Sequence, residues 1–121
     1  QILVVDDNRD AANTLSMLLR ISKHKVSTAY DGHSAVEEFQ KSGPDVVLMD
    51  IGLPGMSGLE AAQAIRALPG GQEVALVAMT GWGQDEDRQK TKEAGFDRHL
   101  VKPVERAALL ELLAGLPVKR K

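Results

Sequence analysis

The sequence predicts an α/β domain, a doubly wound five-stranded parallel sheet with helices on both faces. Three observations carry this expectation. Short β-branched runs alternate strictly with helical stretches, giving five β-α units. Three of the runs (ILVV, VVLM and VALVAM) are almost unbroken apolar segments, the pattern of strands covered on both faces. Distinctive polar residues then stand just past the runs rather than inside them.

The elements follow in order. A strand over Ile2 to Val5 leads to a helix over Arg9 to Ile21, with Ala12, Leu15 and Leu19 on one face and Leu18 beside them. Asp7 or Asn8 can cap that helix. A strand over Lys25 to Tyr30 precedes a helix over His33 to Lys41, with Val36 and Phe39 inward, which Gly43 and Pro44 end. The next strand spans Asp45 to Met49. A helix then opens on Ser57-Gly-Leu-Glu60, where Ser57 and Glu60 form a capping box; Leu59, Ala62 and Ile65 face inward. A strand over Glu73 to Met79 precedes a helix over Gln84 to Ala94, closed by Gly95. The last strand is Arg98 to Val101. The last helix, Val104 to Leu113, follows Pro103. Right-handed crossovers leave few topologies for such a chain.

Composition excludes several classes of function. The 121 residues fit one domain, taken as 1–121, that buries enough apolar surface to fold without staples. There is no cysteine, hence no disulfide scaffold, thiolate metal site or thiol catalysis. A net charge of −2 argues against nucleic-acid binding through a basic face. No apolar run approaches the roughly 20 residues that span a bilayer, so no membrane contact is expected. The first apolar run stops at Asp6 and Asp7, which is unlike a signal peptide, and a cytoplasmic location is the expectation. The chain starts at Gln1 just before a strand, which suggests a piece of a longer protein. Lys119, Arg120 and Lys121 read as a solvated tail.

In doubly wound sheets, sites form at the carboxyl ends of the strands. Asp6 and Asp7 follow the first strand, Asp50 the third, Thr80 the fourth and Lys102 the fifth, while Asp31 and Gly32 after the second read as an ordinary turn. Each alone has an ordinary explanation as a cap, turn or surface residue. Jointly they do not, because the repulsion of three converging carboxylates has to be offset if strands one and three are neighbours. Mg²⁺ does this: it takes oxygen ligands, keeps several waters and often holds a phosphate oxygen. With a lysine and a hydroxyl at the same rim, the set suits phosphoryl transfer to or from a carboxylate.

Along almost its whole length the chain resembles the receiver domain of bacterial two-component response regulators. The stretches ILVVDDN, VVLMDIGLPGMSGLE, ALVAMTG and EAGFDRHLVKP carry the resemblance, in order and each at its own strand end. It implies a flavodoxin-like sheet of order 2-1-3-4-5. It implies Asp50 as phosphoacceptor, with Asp6, Asp7, Asp50 and the backbone carbonyl of Gly52 around Mg²⁺. Thr80 matches the switch hydroxyl, Lys102 the lysine that contacts the phosphoryl group, and Lys102–Pro103 a bond that is cis in that family. His99 holds the switch position more often occupied by tyrosine or phenylalanine, and Trp82 is large where many receivers carry a smaller polar group. TGWGQ with EAGFDRHLVKPV is similar to receivers attached to hybrid sensor histidine kinases.

The expected function is therefore a signalling switch. A phosphohistidine on a histidine kinase or histidine phosphotransfer domain donates to Asp50, and the surface of the 84–94 helix, the last strand and the last helix responds. That surface is also the candidate place for a homodimer. The domain is not expected to be a stand-alone enzyme beyond gaining and losing its own phosphoryl group. A flavodoxin-like FMN electron carrier would need a hydroxyl- and glycine-rich phosphate loop where Asp6 and Asp7 stand. A small phosphohydrolase with an aspartate nucleophile would need its second acid two residues on, and here the acids are adjacent. The helix over 84–94 is polar nearly all round and should be weakly held. Leu109, Leu110, Leu112, Leu113 and Leu116 exceed one inward face, so some are expected to be exposed.

Overall fold

The computed structural model describes residues 1–22, 24–51, 58–80, 93–101 and 106–115. Along the chain these form β1 (Ile2–Val5), α1 (Arg9–Ile21), β2 (Val26–Ala29), α2 (Gly32–Ser42) and β3 (Val46–Asp50). They continue with α3 (Gly58–Arg66), β4 (Ala75–Thr80), β5 (Arg98–Val101) and α4 (Arg106–Gly115). All five strands pair in parallel in the order β2-β1-β3-β4-β5, the sheet the resemblance implies.

Alternation along the strands divides the core in two. Leu3 and Val5 of β1, Val47 and Met49 of β3, and Leu76 and Ala78 of β4 pack with Phe39 of α2 and with Ala61, Ala62 and Ile65 of α3. Ile2, Val4, Leu48, Val77 and Met79 face the other way, against Ala12, Leu15 and Leu19 of α1 and Leu109 of α4. Fully burying one such side chain contributes about 1.5–3 kcal/mol, so the sheet centre is the main source of stability.

The bounds of β1, α1 and β5 coincide with those expected, while other boundaries differ for local reasons. β4 begins at Ala75 rather than Glu73, because a turn uses the preceding backbone: the N–H of Gly71 donates to Leu68 and that of Glu73 to Gly70. Of the two candidate caps of α1, Asn8 serves, its Oδ1 accepting from the N–H of Ala11 at 3.1 Å. Asp31 is more than a turn residue. It caps α2, its Oδ1 accepting from the N–H of Ser34 at 2.7 Å. Gly43 ends α2 in the left-handed region, with φ of 56°.

The leucines of α4 differ from expectation. Leu109 is buried, and Leu110, Leu112 and Leu113 are half-buried; Leu112 and Leu113 pack against the α1-side core. None of these described leucines is exposed. The exposed large hydrophobic residues among those described are Met17 and Ile21, on the outer side of α1. The expected helix over 84–94 is described only at residues 93 and 94, which are helical, and Gly95 follows with φ of 106°. Its polarity and hold, the Ser57 half of the capping box, Trp82, Leu116 and the Lys102–Pro103 bond lie outside the described residues.

At the amino edge of the sheet, Arg66 ends α3 and binds two loops. Its Nη1 donates to the carbonyls of Gly71 at 2.8 Å and Val74 at 2.7 Å. Its Nε donates to the carbonyl of Gly95 at 3.0 Å, and Nη2 donates to Asp97 Oδ2 at 3.0 Å. Asp97 in turn accepts from the N–H of Leu76 at 3.0 Å. Gly71 is required here, since a Cβ would lie 1.7 Å from the carbonyl oxygen of Ile65.

The cap at Asp31 yields a pH-dependent expectation. The Ser34 backbone N–H, then the Ser34 side chain, hold the Asp31 carboxyl below its ordinary pKa. A depressed pKa means the contribution is complete above the unfolded value of about 3.9 and is lost as pH falls through the folded value. Asp31→Ala should cost about 1 kcal/mol in urea unfolding at pH 7. Repeated at progressively lower pH, the difference from wild type should shrink; a constant difference would show that the ionised cap is not its source.

Candidate functional site

Parallel pairing decides what meets at the carboxyl edge. Val5 lies opposite Met49 in the β1–β3 register, so the next residues along, Asp6 and Asp50, reach the same edge. Asp6 extends the β1–β2 ladder by one bond, its N–H donating to the carbonyl of Ala29 at 3.1 Å. The residue is 3% exposed. Its Oδ1 accepts from the N–H of Asn8 at 3.0 Å. Asn8 therefore orients Asp6 with its backbone while capping α1 with its side chain. Asp7 is exposed and Asp50 half-buried, and one carboxylate oxygen from each of Asp6, Asp7 and Asp50 lies within 4.8 Å of the others.

The neighbouring strands end at the same edge. Asp50 is the last residue of β3 and pairs with Met79, whose carbonyl accepts from the N–H of Ile51 at 3.3 Å. Thr80 ends β4 in register with Val101, the residue before Lys102. His99 is half-buried within β5, opposite Ala78. The expected roles of Gly52, Lys102 and Pro103 fall outside the described residues.

Two residues that the sequence pattern did not mark as part of the site turn out to shape it. One is Asn8, described above. The other is Gly58, which opens α3 directly against the Asp50–Ile51 backbone. A Cβ there would lie 2.5 Å from the carbonyl oxygen of Asp50 and 2.6 Å from Cα of Ile51. The available signal was a glycine in the first turn of a helix, where it is unfavourable unless a close approach requires it.

The donor set fits a hard divalent cation. It is all oxygen and all carboxylate, and includes one residue buried by the fold. An ion with ligands at about 2.1 Å spans about 4.2 Å between opposite ligands, so the cluster has the dimensions that one Mg²⁺ and its waters would bridge.

Comparison with known proteins finds one family over most of the chain. The profile of the response regulator receiver domain matches residues 2–114. The transcriptional regulatory protein PrrA of Mycobacterium leprae is 34% identical over 120 residues, covering 99% of this chain and 51% of PrrA. The chain thus spans about half the length of that relative. The receiver domain of sensor histidine kinase PA1611 from Pseudomonas aeruginosa, solved with a magnesium ion coordinated in its active-site cleft, has a TM-score of 0.85 and 34% identity. That match covers 93% of this chain and 92% of the other. The co-crystal structure of the Saccharomyces cerevisiae phosphotransfer protein Ypd1 with the receiver domain of Ssk1 matches with a TM-score of 0.85 and 30% identity. It covers 93% of this chain and 85% of the matched chain.

Two outcomes are expected from the geometry. Calorimetric titration should find one saturable Mg²⁺ site, reversed by chelator, and Asp7→Ala should weaken it severalfold; unchanged affinity in that variant would remove Asp7 from the site. Gly58→Ala should lower stability by about 1–3 kcal/mol, as overpacking does, and move the amide resonance of Ile51. An unperturbed Ile51 amide would show that Gly58 does not set the Asp50 backbone.

Proposed function

The chain belongs to the response regulator receiver domain family of two-component signalling, and from that premise we propose that it is a phosphorylation-dependent switch acting through Asp50. Residues 1–121 act as one receiver unit. The phosphoryl group comes from a phosphohistidine on a histidine kinase or histidine phosphotransfer domain. The observation that carries this reading is the convergence of Asp6, Asp7 and Asp50 at one edge.

The Asp50 carboxylate attacks phosphorus in line. A P–O bond forms, the P–N bond to the donor imidazole breaks, and the imidazole leaves with that electron pair. Asp6, Asp7 and Asp50, with the Gly52 carbonyl, are the proposed ligands of Mg²⁺. When bound, the ion would offset the negative charge developing on the phosphoryl oxygens. Lys102 contributes a point charge to one of those oxygens and Thr80 a hydroxyl donor. The likeness to the magnesium-bound PA1611 receiver supports the metal, and the Ypd1–Ssk1 complex supports the partner class.

Converting a carboxylate to an acyl phosphate adds roughly one negative charge at the β3 end. Thr80 follows the new oxygens and His99 turns inward, which biases the surface of the 84–94 segment, β5 and α4 between two states. Moving such an equilibrium from mostly off to mostly on takes about 5.5 kcal/mol of differential stabilisation. The same surface is the proposed place for self-association. The likeness to a sensor-kinase receiver supports attachment to a hybrid kinase. We place the domain in the cytoplasm without direct nucleic-acid or membrane contact; among the described residues no helix is long and apolar enough to cross a membrane.

Incubation with acetyl phosphate or a phosphorylated kinase, in the presence of Mg²⁺, should label Asp50. Asp50→Asn should abolish labelling and a chelator should block it. Labelling that survives in Asp50→Asn would overturn the reading.

A further inference from the structure

The two acids between β1 and α1 stand on a turn that α1 itself holds. Asp6 Oδ1 accepts from the N–H of Asn8 at 3.0 Å, and that bond closes a turn around Asp7. Asn8 commits its other groups to the helix. Its carbonyl accepts from the N–H of Ala12 at 3.0 Å, and its Oδ1 accepts from the N–H of Ala11 at 3.1 Å. One exposed residue thus gives its backbone donor to the acidic cluster and its acceptors to the first turn of α1.

That part of the helix is fixed from two sides. Ala12 is buried in the α1-side core with Leu15 and Leu19. Toward the end of β2, the Arg9 guanidinium carbon lies 4.3 Å from the centroid of the Tyr30 ring. The Tyr30 hydroxyl donates to Asn13 Oδ1 at 3.4 Å, one turn further along α1. The turn bearing Asp6 and Asp7 therefore rests on a base tied both to the core and to the β2 side. A ligating group already held in its orientation has less freedom to lose on binding than one that must still find it. Asp6 is 3% exposed, and the Asn8 N–H fixes one of its oxygens.

We infer that Asn8 is a positioning residue for the metal cluster: by capping α1 it fixes the turn that carries Asp6 and Asp7, so that Mg²⁺ binding and the first turn of α1 stabilise each other. This rests on the metal site proposed above, of which Asn8 is not itself a ligand. The coupling acts in both directions, because a free energy shared between two sites is reciprocal.

The test is calorimetric titration of the intact protein with MgCl₂, beside amide exchange with and without the metal. Asn8→Ala removes the capping oxygen and keeps the N–H from which Asp6 accepts. It should weaken Mg²⁺ binding about threefold, within what the loss of an N-cap can transmit. Asn8→Ser supplies a capping oxygen again and should restore the affinity. In the wild-type protein, Mg²⁺ should slow exchange of the Ala11 amide, capped by Asn8, more than that of the Ser34 amide, capped in the same way by Asp31 on α2. A wild-type protein that binds Mg²⁺, with Asn8→Ala binding it equally tightly, would overturn this inference and leave the metal site standing. Weakening that Asn8→Ser does not repair would also overturn it, since the cap would not be the cause. Equal slowing at Ala11 and Ser34 would do the same, pointing to stabilisation of the whole fold. Absence of saturable Mg²⁺ binding in wild type would overturn the metal site and this inference together.

Discussion

The parallel register between β1 and β3 is the constraint on which the rest of this molecule depends. It sets Val5 opposite Met49 and thereby brings Asp6 and Asp50 to one edge. Nothing about the carboxylates favours that meeting. Two like charges about 4 Å apart repel by about 4 kcal/mol at an effective dielectric of about 20. Several such pairs would be comparable to the net stability of a domain, about 5–15 kcal/mol. The apolar strands decide the outcome. Ile2, Leu3, Val4, Val5, Val47, Leu48 and Met49 are all buried, and each contributes on the scale of about 1.5–3 kcal/mol. The meeting of the acids at this edge is thus set by the sheet's apolar burial rather than by the acids themselves.

The two edges of the sheet are built differently. At the amino edge, backbone and side chains satisfy one another: Arg66 serves the carbonyls of Gly71, Val74 and Gly95 and pairs with Asp97, which also accepts from Leu76. This ties the end of α3 to the starts of β4 and β5. At the carboxyl edge stand the three acids. Asn8 alone serves two purposes there, capping α1 and orienting Asp6. Gly58 lets α3 begin against the Asp50 backbone with no side chain between them. An anchored edge thus stands opposite a charged one.

Much of this was legible in the chain. The runs ILVV, VVLM and VALVAM announce strands buried on both faces, and the stripe of Ala12, Leu15 and Leu19 announces the inner face of α1. The acids at the ends of those runs announce the site. Legibility fails where a residue's role depends on a distant partner. Arg66 looks like an ordinary end-of-helix cation until the loops at Gly71 and Gly95 arrive beside it. The leucines of α4 look too numerous for one face until the helix settles against β5 and α1-side residues, where Leu109 is buried and its neighbours are half-covered.

By itself the sequence determined which of the described segments become strands and helices and, for β1, α1 and β5, where they end, because periodicity, caps and turn residues act over a few neighbouring positions. Only the tertiary structure decided that Asp6, Asp7 and Asp50 share one space, that Gly58 must be bare, and that Arg9 lies over Tyr30. Those are distances between residues far apart in the chain or on different elements. They are set by strand order, register and packing, which no local pattern contains.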